Sequence, residues 1–159
     1  MALCQITRDP IDVGALISAV QAPTDGALCV FSGVVRADPG PGGETNRVQV
    51  LEYDAYPEMA EAKLAEVAAE VAERWPEQKI AIAHRIGRLE VGEASVVIAV
   101  ASPHRHESFE ACHYAINRVK STAPIWKKEI YQSGEEWVEG TLPGATVDRA
   151  DSVPTSAGG

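Results

Sequence analysis

Two lysines draw attention first, in the segment FEACHYAINRVKSTAPIWKKE (109–129). Its apolar residues recur at helical spacing as far as Lys120 and stop before Pro124. A helical residue advances about 100°, so Lys120 falls about 20° from Phe109, with Cys112, Ile116 and Val119 at roughly −20° to −80°. Arg118 falls on the opposite, solvent side. Lys120 therefore projects from the apolar stripe. A lysine there must snorkel, pair, or lose its charge by desolvation, and a desolvated amine serves as base or nucleophile. The alternative is an ordinary last-turn lysine that complements the helix dipole. Lys127 follows Pro124 in an extended IWKKE run, where Lys127 and Lys128 point to opposite faces. The proline fixes where the chain re-enters, so Lys120 and Lys127 can converge on one pocket.

Anion-binding groups surround this pair in sequence. His104 and Arg105 open the helix, whose first amides add to an anion site. Arg36 stands at the mouth of a glycine-rich stretch; its alternative is a plain loop arginine. Residues 104–131 carry five of the fourteen basic residues and three of the four histidines, a net +2 within a chain of −9. A local basic site in an acidic protein suits a small anion rather than a polyanion, and the alternative is a solvated charged face. The overall charge excludes general binding to nucleic acid. His104 and His106 do not share a helix face, and there is no CxxC, so no metal site and no cofactor are expected. Phosphate-loop, dinucleotide, zinc-protease and nucleophile-elbow motifs are absent.

The elements that must hold these residues are legible. Residues 12–21 read as a short helix ending before Pro23, and 26–35 as a buried strand. ADPGPGGETN (37–46) holds three glycines and two prolines in ten residues, which predicts a mobile loop without regular structure; it could act as a lid or be a plain connector. RVQVLEY (47–53) alternates as a strand. Pro57 opens a long helix to about Trp75 with Ala60, Leu64, Val67, Ala68, Val71 and Trp75 on one stripe. Residues 79–84, 88–92 and 95–101 read as strands. Ser102 and Pro103 look like a cap and first helical residue. Residues 125–131 and 136–139 are short strands around a Ser133-Gly134 turn. Paired strands between helices predict an α+β domain, a mainly antiparallel sheet with about three helices packed on it, and exclude a doubly wound fold.

At 159 residues the chain is one domain, expected over 1–140, with 141–159 as a disordered tail. No apolar run is long enough to span a membrane, and no signal peptide is evident at the N-terminus. Three widely spaced cysteines, Cys4, Cys29 and Cys112, fit a reducing cytoplasm.

GALCVFSGVVR (26–36), LEYDAYPEMAEAKL (51–64), HRIGRLEVGEASVVIAVASPHR (84–105), FEACHYAINRVKSTAPIWKKE (109–129) and EEWVE (135–139) occur in order. Together they resemble the large, catalytic subunit of molybdopterin synthase, the MoaE-like family, over about residues 26–139. The resemblance implies an α/β hammerhead-type fold. It implies conversion of cyclic pyranopterin monophosphate (precursor Z), a pterin phosphate, to molybdopterin by insertion of two dithiolene sulfurs. The sulfur would arrive as a thiocarboxylate on the C-terminal Gly-Gly of a small ubiquitin-like carrier subunit. The implied assembly is a heterotetramer with a homodimer of this chain at its centre. By motif, the resemblance puts the essential lysines on Lys120 and Lys127 and the substrate site on Arg36, His104 and Arg105. Phe31, Arg85 and Glu129 lie in matching segments with less weight. The chain's own terminal Gly158-Gly159 is a small-subunit feature without a ubiquitin-like domain before it. A Schiff-base-forming lyase on a phosphorylated substrate and a non-catalytic docking module for the carrier stay open from the residues.

Overall fold

The computed structural model describes residues 2–138; the expected tail and the terminal Gly158-Gly159 lie outside them. Nine strands and three helices follow one another as β1 (Leu3–Thr7), α1 (Val13–Val20), β2 (Ala27–Val34), β3 (Pro39–Gly40), β4 (Gly43–Ala55), α2 (Pro57–Arg74), β5 (Lys79–Arg85), β6 (Gly87–Glu90), β7 (Ala94–Ser102), α3 (Arg105–Thr122), β8 (Ile125–Tyr131) and β9 (Gly134–Val138). The domain is α+β, as expected. One sheet runs β1-β5-β7-β2 and the other β3-β4-β8-β9, with β6 beside β4. Among the described residues only the β1–β5 pairing is parallel.

Strand parity explains how the first sheet is covered. On β5 and β7, Ala81, Ala83, Val97, Ala99 and Ala101 turn to one face, where the small side chains leave room for Leu16 and Val20 of α1. The Asp12 carboxylate caps α1 by accepting from the Ala15 amide at 3.0 Å. On the opposite face, Ile80, Ile82, Val96, Ile98 and Val100 pack against Leu64, Val67 and Val71 of α2 and Ala111, Cys112, Ala115 and Val119 of α3. A further core of Val35, Val48, Leu51, Tyr53, Ile86, Leu89 and Tyr131 backs the second sheet.

The structure departs from expectation at five places. β1 adds an edge strand, paired with β5, where no strand is expected. Residues 37–46 are not without regular structure: β3 and the start of β4 form a small hairpin there, with Pro39 opposite Arg47. Gly42 and Gly43 turn it at φ of 92° and 91°, a backbone region open to glycine. Ser102 is not the cap of α3. It pairs with Ala27 as the last residue of β7, and His104 is the N-cap. Phe109 leaves the apolar stripe and is 61% exposed; the stripe centres on Cys112 and Ala115, which moves Lys120 to its flank. Arg118 is not in open solvent but donates to Glu70 of α2 at 3.0 and 3.1 Å.

Candidate functional site

The α3–β8 reversal creates the site. Ala123 caps α3 with an extended backbone (φ −71°, ψ 129°), the conformation a following proline imposes. Pro124 is fully buried. Two residues thus separate the last turn of α3, with Lys120, from the strand carrying Lys127. The two amines are close enough to act on each other. Burial first, then the charge of Lys127, pushes the Lys120 ammonium below the usual lysine range, although much of the lysine side chain still meets solvent.

Register adds two groups that sequence reasoning missed. Lys127 lies directly opposite Tyr53 on β4. The Tyr53 ring stands edge-on to His84 of β5, 5.2 Å between centroids at 70°. His84 is buried, and its Nδ1 lies 2.8 Å from the Arg85 carbonyl. A carbonyl only accepts, so Nδ1 carries the proton and Nε2 the lone pair. Burial holds this imidazole neutral, down to about 4, and the nearby Lys120 charge adds to the effect. Burial raises the Tyr53 hydroxyl, which bonds to Ser95. One signal for His84 was available: it shares strand parity with the core residues Ile80 and Ile82. Nothing local marked Tyr53, because its partner comes from 74 positions along the chain.

Glu129 belongs to the same face of β8. Its Oε1 lies 3.9 Å from Lys127 Nζ, and its Oε2 accepts from the Tyr131 hydroxyl. Arg36, exposed just beyond β2, pairs with Asp38 at 3.3 Å, and the Asp38 charge reaches the Tyr131 hydroxyl. Arg36 therefore stands on the Tyr131 side of the site. Phe31 lies on β2 with the parity of Cys29, which packs toward α3, and its ring covers Gly33.

Other expected residues are not brought in. Arg85 has the parity opposite to His84. It bonds Glu93 at 2.5 Å and the Arg8 carbonyl at 3.3 Å, clipping the β6–β7 turn to the end of β1. His104 and Arg105 sit at the far end of α3. Fifteen residues at about 1.5 Å each put Arg105 roughly 22 Å along the axis from Lys120, so one chain cannot close its own site with them. Among the described residues no cluster of three or more His, Cys, Asp or Glu could hold a metal. Cys4 and Cys112 are poor sulfur nucleophiles. Burial, then Glu61, pushes Cys4 to about 11, and burial, then neighbouring Cys29, pushes Cys112 to about 12.

The family model described as MoaE protein matches residues 6–122. The chain belongs to the MoaE family. It is 49% identical over 133 residues to the molybdopterin synthase catalytic subunit of Halalkalibacterium halodurans, covering 84% of this chain and 83% of that one. The Bacillus subtilis subunit of the same name is 48% identical over 134 residues, with the same shares covered. The crystal structure of molybdopterin synthase from Staphylococcus aureus superposes with a TM-score of 0.80 at 40% identity, over 86% of this chain and 96% of that one. A subunit in a Helicobacter pylori complex, 22% identical with a TM-score of 0.70, shares the fold. No helix among the described residues of this MoaE-family chain is long and apolar enough to cross a membrane.

Proposed function

We propose that this chain is the catalytic subunit of a molybdopterin synthase and acts as a sulfurtransferase. It converts cyclic pyranopterin monophosphate to molybdopterin with sulfur delivered as the C-terminal Gly-Gly thiocarboxylate of a small ubiquitin-like subunit. The observation that carries this is the convergence of Lys120 and Lys127 beside neutral His84. Burial and the second charge favour the neutral amine of Lys120, which suits it to take a proton or attack an acyl carbon. Lys127 supplies an ammonium where anionic intermediates and phosphate gather. Arg36 adds a guanidinium fork for the phosphate. The raised thiols of Cys4 and Cys112 favour a sulfur source on the partner rather than on this chain.

The length of α3 supports a homodimer in which His104 and Arg105 serve the other copy's site. The β2 edge offers a contact surface: Leu28, Val30 and Val34 are exposed along it, on a strand whose outer side has no ladder partner among the described residues. The start of β2 adjoins the N-terminus of α3, since the Gly26 amide bonds the Ser102 carbonyl at 3.0 Å. An antiparallel pairing of two such edges sets that end of one α3 beside the Lys120 end of its mate.

The test is molybdopterin formed per enzyme when the chain meets thiocarboxylated carrier and cyclic pyranopterin monophosphate. Turnover with carrier and none with free sulfide is expected. Conversion by the chain with sulfide alone, or carrier binding without turnover, overturns the proposal.

A further inference from the structure

We propose that Tyr131 is a positioning residue for Lys127, and that the β3–β4 hairpin seats it. The inference rests on Lys127 being catalytic, as proposed above. Lys127, Glu129 and Tyr131 occupy alternate positions of β8 and so share one face. The Glu129 carboxylate is divided between its neighbours: Oε2 accepts from the Tyr131 hydroxyl, and Oε1 faces Lys127 Nζ at 3.9 Å. The terminal torsion of a glutamate is broad. Without the tyrosine bond, nothing else in this contact set fixes which way the carboxylate turns, and with it the lysine.

Tyr131 is itself held from the opposite side. Its ring is buried, and the hairpin backbone at Gly40 lies flat against it. A Cβ at position 40 would collide with the ring and come within 2.8 Å of the Asn46 carbonyl. Asn46 Nδ2 donates to the Pro41 carbonyl and to Ser133 Oγ, both at 2.7 Å, which ties the hairpin to the turn just past Tyr131. Three carboxylates, Glu129, Glu136 and Asp38, face the hydroxyl; the Glu129 bond is the largest cause that pushes it up to about 12. The hydroxyl thus stays a donor across the working pH range. The hairpin that presses on Tyr131 also follows Arg36, whose guanidinium pairs with Asp38, so the arm that meets the phosphate and the seat of Lys127 are one unit.

The test is steady-state kinetics of the assembled synthase. Tyr131→Phe keeps the ring and removes only the donor. It should lower kcat about tenfold, a misplacement effect, with KM for the precursor within twofold and an unchanged melting temperature. Gly40→Ala should lower kcat similarly in the wild-type background and add nothing to kcat in the Tyr131→Phe background, since both act through one bond. A wild-type kcat in Tyr131→Phe, losses that multiply in the double variant, or a change confined to KM overturns the proposal. Lys127→Ala separates it from its foundation. If that variant turns over normally, the catalytic role of Lys127 falls and this inference with it. If it is inactive while Tyr131→Phe is normal, only this inference falls.

Discussion

Lys127 and Lys128 are neighbours on one strand, and they meet opposite surroundings. Lys128 turns to the other face of β8 into a clasp: Nζ lies 3.1 Å from Glu52 and 3.3 Å from Glu135, and 5.3 Å from the Trp137 ring centroid. Its hydrogen bond to Glu52, then that to Glu135, pushes its ammonium above the usual lysine range. Such a group is locked in its charged form and in its place. Lys127 turns inward, opposite Tyr53, with a single looser contact to Glu129 at 3.9 Å, and its charge bears on Lys120. The difference separates a lysine saturated by two carboxylates, which suits a structural ion pair, from one held by a looser contact, which suits the role proposed for Lys127.

The sharpest break between the two faces is by truncation. Lys120→Ala and Lys127→Ala should each cut molybdopterin formation about 10²–10⁴-fold, the usual worth of an acid–base or charge-stabilising group, while folding and carrier binding persist. Lys120→Arg should not rescue, because arginine stays protonated. Equal losses at 127 and 128 in the same assay would erase the comparison.

A second effect belongs to the inward side alone. His84 is depressed from 6.5 to about 4, so between those values the unfolded chain binds more protons than the folded one. Stability then falls as pH drops through that window, by up to roughly 3 kcal/mol, and the loss levels off below it. His84→Gln keeps an amide donor toward the Arg85 carbonyl and should lack this component. Urea midpoints of the two proteins between pH 7.5 and 4 would reveal it, and parallel curves would count against a buried neutral imidazole.

Arg36→Ala and Arg105→Ala should each weaken precursor binding by about 1.5–3 kcal/mol, the loss of a charge-assisted contact. Because α3 separates Arg105 from its own Lys120, mixing Lys120→Ala with Arg105→Ala chains should restore part of the turnover that each homodimer lacks. No recovery in the mixed dimers would place Arg105 outside the site. The smallest effect is expected at the clasp. Lys128→Ala should leave turnover within a few-fold, and added salt should narrow its melting-temperature difference from wild type, because the partner carboxylates Glu52 and Glu135 are open to solvent.

The sequence by itself determined most of the elements, though not β1 or the 37–46 hairpin, and the alternation of side chains along the strands. Periods of 3.6 and 2 depend only on local geometry, so α1, α2, β5, β7 and the opposite facing of Lys127 and Lys128 could be read directly, as could the reversal at Pro124. The distance between the two ends of α3 was implicit in its length. Tertiary structure alone decided which faces meet. Tyr53 enters the site because β4 pairs with β8 in one register, and His84 because α3 covers its face of the first sheet. The glycine-rich stretch 37–46 becomes a hairpin because Tyr131 and Ser133 give it something to lie on, and Phe109 turns outward because α3 settles on Cys112 and Ala115 instead. Local periodicity states which side of an element is apolar; only non-local pairing, whose closure entropy is met by the assembled core, selects the neighbour that side will touch.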